Sequence, residues 1–266
     1  RILEPAMSVL AANIEADAMS MYKDIYSQVD NTGNPVTFNH ILKARKLLVD
    51  NLAPLSGRTC NLNTQDNVDL VDALKGLFND KATISRQNRE GFMGRTAGFD
   101  FMENTLWPAH TVGARAGAPL VNGIGQSGGV LATDGWTAST LVLNRGDIFT
   151  IPNVFRVHPE TKQSTGQLQQ FVVTDLNGVT SSGSGQASIN ISPAIVGPAG
   201  SPPNQTVSAL PVDNVAMQIV GAASSPYGLS LAYQKGAFAF ATADLLMPRG
   251  VDFASREVFD GISMRI

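Results

Sequence analysis

With 266 residues the chain is long enough for one large domain or two medium ones with real cores. Charged side chains make up 15% of it, against about 25% in an average soluble domain, and there are 25 Gly, so much of the surface is expected to lie under partners or to carry uncharged polar groups. A net charge of −3 argues against a nucleic-acid binder held by a basic patch, Cys60 as the single cysteine excludes an internal disulfide, and no apolar run approaches the roughly 18 residues of a membrane span.

Leu3, Met7, Leu10, Ile14, Ala18, Met21 and Ile25 recur at spacings of three and four, which predicts one apolar stripe on a long amphipathic helix ended by Asn31, Gly33 and Pro35. Thr37 is an expected N-cap for a second helix, with Phe38, Ile41, Leu42, the stem of Arg45, Leu48, Val49 and Leu52 as its stripe. A short extended piece, Arg58 to Leu62, leads to a third helix over about Thr64 to Leu77, with Val68, Val71, Leu74 and Leu77 on its buried side. Short strands follow near Trp136–Leu143, Ile148–Phe155, Leu168–Thr174, Ala187–Ser192 and Val215–Val220, broken by turn signals. Asn177-Gly178 reads as a hairpin turn, since Gly supplies the positive φ that a tight primed turn requires. Leu229, Leu231 and Tyr233 alternate, as do Phe238 and Phe240, and again Ile262, Met264 and Ile266, predicting strands with one buried face.

Charge divides the chain in the same way. Residues 111–234 carry only 9 of the 41 charged side chains but 16 of the 25 Gly and 9 of the 14 Pro, so a turn-dense β section, a small barrel or sandwich, is expected between two more ordinary ones. The chain opens on Arg1 inside a helical pattern and closes on Ile266 inside an alternating one, without a basic-plus-hydrophobic signal segment, so further chain is expected at both ends.

Each motif that carries chemistry meets a plainer reading. Gly123, Gly125 and Gly128 fit GxGxxG, and Gly125 to Gly129 around Ser127 fit GxSxG, but both motifs need a helix directly afterwards. Val130 to Gly135 is strand and turn chemistry instead. Arg145-Gly146-Asp147 spells an integrin-binding tripeptide and is also ordinary turn composition. His40, His110 and His158 are far apart, and Cys60 has no neighbouring Cys or His, so no zinc site is expected. Asp66, Asp69 and Asp72 near a helix start read as a dipole-favoured acidic face before a metal site. Asn190-Ile191-Ser192 and Asn204-Gln205-Thr206 match glycan acceptors. No nucleophile stands with a base and no carboxylate pair with a pocket, so no catalytic, cofactor-binding or metal-ligating residue is assigned.

Several blocks nonetheless occur together in order. Val71-Asp72-Ala73-Leu74-Lys75-Gly76-Leu77-Phe78-Asn79 is followed by Arg86-Gln87-Asn88-Arg89-Glu90-Gly91-Phe92-Met93-Gly94-Arg95-Thr96-Ala97-Gly98-Phe99-Asp100 and by Pro108-Ala109-His110-Thr111-Val112-Gly113. Then come Arg145 to Ile151, Val157 to Val173, Leu229 to Tyr233 and Leu246 to Asp252. This series resembles the coat-protein family of the Salmonella short-tailed phages over nearly the whole chain. The resemblance implies an α+β Hong Kong 97-type capsid fold, with a spine helix at residues 2–29, peripheral and axial domains, and an inserted β-barrel. Residues 1–113 would form the first segment of the capsid core, with the spine helix and the axial-domain helices. Residues 114–225 would be the insertion, and residues 226–266 the returning strands of the core. The resemblance further implies self-assembly into hexamers and pentamers, with scaffolding protein and portal as assembly partners, in a virion built in the bacterial cytoplasm. No cofactor, membrane or sequence-specific nucleic acid is implied. The family's N-terminal arm and extended loop would precede Arg1.

Two other classes remain as alternatives. A carbohydrate- or receptor-binding module needs a concave aromatic site among Trp136, Phe149, Phe155, Phe171, Tyr227 and Tyr233. A hydrolase would rest on Ser127.

Overall fold

The computed structural model describes residues 3–31, 33–74, 94–200, 202–241, 243, 246, 256–259 and 262–265. The end of the expected third helix past residue 74, the motif residues 75–79, 86–93 and 247–252, and Ile266 lie outside the described residues. The rest is mixed α and β, strand-rich, with two separate hydrophobic cores.

Helix α1 spans Leu3–Met19 and tightens into a 3-10 turn at Ser20–Asp24. The expected helix to residue 29 therefore stops early. At Ile25 the backbone turns extended, with φ −95° and ψ 119°. Tertiary bonds account for the stop. Arg145 holds Asp24, and the side chain of Gln170 accepts from the Gln28 N–H (2.8 Å) and donates to its carbonyl (3.0 Å), in place of helical bonds. Among the described residues the stripe enters neither core: Leu10 is 48% and Met21 37% exposed, and Met7, Ile14 and Ala18 are half-buried.

Helix α2 (Phe38–Asp50) starts after Thr37, whose N–H donates to His40 Nδ1 at 3.0 Å. It buries Ile41 and partly buries Phe38 and Leu48, while Leu42 and Val49 stay exposed. Strand β1 (Arg58–Leu62) alternates, burying Arg58, Cys60 and Leu62. Helix α3 (Thr64–Leu74) is capped by Asn63, whose Oδ1 accepts from the Asp66 N–H at 2.8 Å. Its inner row is Asp66, Leu70 and Leu74, spaced four apart, because Asp66 is drawn inward by Ser230 and Asn63. Val68 is thereby turned to solvent, contrary to the expected buried side. The strands β2 (Arg95–Thr96) and β3 (Phe99–Glu103) complete this core, β3 lying parallel to β1.

The second core is almost wholly β. After β4 (His110–Thr111) come β5 (Gly117–Val121), β6 (Gly128–Trp136), β7 (Leu141–Leu143), β8 (Ile148–Val157) and β9 (Ser164–Val173). Then follow β10 (Val179–Thr180), β11 (Ala187–Ile195), β12 (Gln218–Ile219) and β13 (Pro226–Tyr227). The sheet order is β12-β8-β9-β11-β6-β5, antiparallel throughout. Its two edges are joined by one segment: Val121 N–H donates to Val215 and Met217 N–H to Pro119, and β12, which begins at the next residue, pairs with β8. The hydrogen-bonded circuit thus closes into a small barrel filled by Phe149, Phe171, Leu131, Ile151, Ile189 and their neighbours. The rings of Phe149 and Phe171 stack at 5.6 Å.

Two expectations here need correction. Trp136–Leu143 is not one strand, since a turn separates β6 from β7. Gly178 sits in a turn, with φ +72° and its N–H on Asp175, yet it does not close a hairpin between neighbouring strands. Its Cα packs so close to the Leu143 carbonyl that a Cβ would lie 2.6 Å from it, and β10 pairs with β7 instead.

The chain then returns to the first core as β14 (Leu231–Gln234), antiparallel to β1, in a sheet ordered β14-β1-β3-β2. Phe238 and Phe240 form no strand; Phe238 meets Tyr233 edge-on at 5.6 Å and Phe240 is exposed. Strands β15 (Arg256–Phe259) and β16 (Ile262–Arg265) pair antiparallel with each other.

Candidate functional site

The motif residues do not converge. The loop holding Gly123, Gly125 and Ser127 joins β5 to β6, so a strand follows where a phosphate-cradling helix or a nucleophile elbow is required. Gln126 pins this loop, donating to the Asn122 and Ala132 carbonyls (both 2.9 Å) and accepting from the Ala132 N–H (2.6 Å). Ser127 is exposed. Cys60 lies in the middle of the four-stranded sheet, where burial first and the Asp66 charge second push its thiol up to about 12. It packs as a core residue whose burial disfavours the thiolate form.

His40 accepts at the start of α2, and His158 Nδ1 accepts from the N–H groups of Glu160 and Thr161 in a turn. Asp66 accepts from Ser230 and Asn63; burial raises its pKa, opposed by those hydrogen bonds and reinforced by Asp69. Asp69 accepts from Gln65 and from the Val36 N–H. Among the described residues no group of three or more His, Cys, Asp and Glu side chains is placed to hold a metal ion, and no helix is long and apolar enough to cross a membrane. Asn190 is engaged by Asp175, and Asn204 is exposed. Trp136, Phe149 and Phe171 fill the barrel, so these three form no outward aromatic platform.

What the fold does bring together is a polar junction between the barrel and the 3-10 turn that follows α1, built on Arg145-Gly146-Asp147. The Asp147 side chain is 0% exposed and accepts three hydrogen bonds: from the Asn144 N–H (2.8 Å), the Gly113 N–H (3.0 Å) and, at its other oxygen, His110 Nε2 (2.9 Å). His110 Nδ1 in turn meets the Tyr22 hydroxyl at 3.2 Å. Burial first, and the Asp147 carboxylate second, raise the Tyr22 pKa. Arg145 grips Asp24 with both Nε (3.2 Å) and Nη2 (2.7 Å to one oxygen, 2.9 Å to the other). Gly146, at φ +94°, lets the turn pass between His110 and Lys23; a Cβ there would lie 3.2 Å from His110 Cε1 and 3.3 Å from Lys23. The tripeptide is therefore turned inward. Its cation is paired with Asp24 and its carboxylate is buried. The pairing of His110 with Asp147, 37 residues apart, has no signal in local spacing.

No family model matches the chain, and no curated protein matches it. Among solved structures the chain is similar to the CUS-3 coat protein I-domain, with 26% sequence identity over 40% of this chain and 96% of that one, at a TM-score of 0.28.

Proposed function

We propose that the chain is a structural subunit of a tailed-phage shell: a major capsid protein of Hong Kong 97-type fold carrying an inserted barrel. In this reading residues 1–113 and 226–266 belong to the shell wall and 114–225 to the insertion. Its main partners are further copies of itself in hexamers and pentamers, joined during assembly by a scaffolding protein and a portal. It catalyses nothing and binds no cofactor, and the particle forms in the bacterial cytoplasm. The ordered sequence blocks support this reading.

One structural observation carries it. Each described helix keeps apolar residues exposed beside half-buried ones: Val9 and Leu10 on α1, Leu42 and Val49 on α2, Val68 on α3. Exposed apolar side chains clustered in this way are stable when something apolar covers them. In a shell that cover is another copy. The polar junction at Asp147 would meanwhile hold the barrel at a fixed attitude to the wall, as a repeating lattice requires.

Leu10→Asp tests the reading. As an exposed substitution it should change subunit stability by no more than about 0.5 kcal/mol, while sharply lowering the yield of assembled particles. Particle yield equal to wild type would remove the main support.

A further inference from the structure

A cavity of about 490 Å³ opens where residues 26–30, α2, and the strands β8 and β9 meet. Lys43 and Lys46 of α2 and Arg156 of β8 border it, with Asp30 as the bordering carboxylate. Lys46 is already held by Asp50 at 2.6 Å. Arg156 is the member that lacks an explanation. It is only 8% exposed, and its Nη2 is buried without a hydrogen-bond partner among the described residues. A guanidinium keeps its charge at any working pH, and an N–H donor buried without an acceptor is costly until one meets it. Its planar fork matches the two oxygens of a phosphate or a carboxylate.

The rest of the wall suits such an occupant. Ser27, Gln167 and Thr150 contribute hydroxyl and amide groups, and no second carboxylate lies along it. The two bonds between Gln170 and the Gln28 backbone fasten residues 26–30 to β9, so the wall is set before anything binds.

We propose that this cavity binds a small oxyanion, with Arg156 as the anchor and Lys43 as the second cation. The occupant is either free phosphate or the carboxylate of an acidic side chain. The inference stands apart from the assembly reading and applies to the unassembled chain.

Thermal unfolding of the purified chain in phosphate, acetate and chloride at equal ionic strength and pH tests it. A saturable rise in the midpoint over chloride is expected. A rise with phosphate alone identifies free phosphate; a rise with acetate as well identifies carboxylates. Phosphate also stabilises folded proteins generally, but that effect acts alike on wild type and variants, so the difference between them is what counts. Arg156→Met keeps the apolar stem and removes the guanidinium with its unpartnered Nη2. It should lose the saturable rise and unfold in chloride no earlier than wild type. Lys43→Gln, at an exposed position, should weaken the apparent affinity at least threefold. Equal midpoints in all three salts overturn the proposal, as does a full response in Arg156→Met. Should that variant fail to fold, an unchanged response in Lys43→Gln overturns it.

Discussion

Asp147→Ala is the perturbation for which the structure sets the largest consequence. The carboxylate is wholly buried and accepts from two backbone N–H groups, those of Gly113 and Asn144, as well as from His110. Alanine leaves both N–H groups without an acceptor in a place that water does not reach. Each orphaned donor costs about 1–3 kcal/mol, so the pair costs about 2–6 kcal/mol before the lost His110 bond is included. That is a large share of the ~5–15 kcal/mol that holds a typical domain. Urea unfolding followed by the fluorescence of Trp136, which sits in the barrel core, reads the loss directly. Tyr22→Phe is the internal control: it removes one 3.2 Å bond at a half-buried hydroxyl and should cost about 1 kcal/mol or less. An Asp147→Ala stability within about 1 kcal/mol of wild type would show that the two donors are not orphaned and that the junction is not buried as described.

The two helix faces should respond oppositely to truncation. Leu70→Ala, fully buried on α3, should cost about 2–5 kcal/mol, while Leu10→Ala on the uncovered α1 stripe should stay within about 0.5 kcal/mol; equal losses in thermal unfolding would contradict the placement of α1. Asp66 has a raised folded pKa, so its contribution is fully present below the unfolded carboxylate pKa and is lost as pH rises through the folded one. Asp66→Asn should therefore flatten the decline of stability from acid toward neutral pH, and an unchanged slope would refute the assignment. The compositional span 114–225 omits Val112 and Tyr227, which pack in the barrel core. A fragment of residues 109–228 should thus unfold cooperatively and at higher urea than one of 114–225, and a molten spectrum for both would count against an autonomous barrel.

The strands between Ile148 and Ile195 were readable because apolar side chains alternate there and turns interrupt them, and α2 and α3 because their stripes have helical spacing. The stop of α1 was not readable. Nothing local marks Ile25, and the bonds that pull the chain straight come from Gln170 and Arg145, more than a hundred residues away. Strand β6 was half readable: Val130 to Gly135 has strand and turn chemistry, but the Gly-rich start hides where the strand begins; Leu131, Thr133 and Trp136 are buried, with Thr133 Oγ1 accepting from the Trp136 indole at 2.8 Å. Barrel closure was invisible too: a strand is readable near Val215–Val220, but it shrinks to Gln218–Ile219, and nothing local shows that residues 214–219 bridge the two edges. Among the candidate residues, composition correctly treated Arg145-Gly146-Asp147 as a turn. It could not show that Asp147 faces His110, because that contact depends on β4 and the β7–β8 turn arriving at one place. For Ser127 and Cys60 the sequence offers no following helix and no neighbouring partner; the structure places Ser127 in an exposed loop before a strand and Cys60 in a core.

Whether this chain builds a shell is decided by electron microscopy of the protein expressed in bacteria from its complete gene, together with the genes that flank it. Closed, regular particles whose wall is made of this chain are the expected product. A protein that stays monomeric at high concentration, with no particles in any co-expression, would refute the capsid reading.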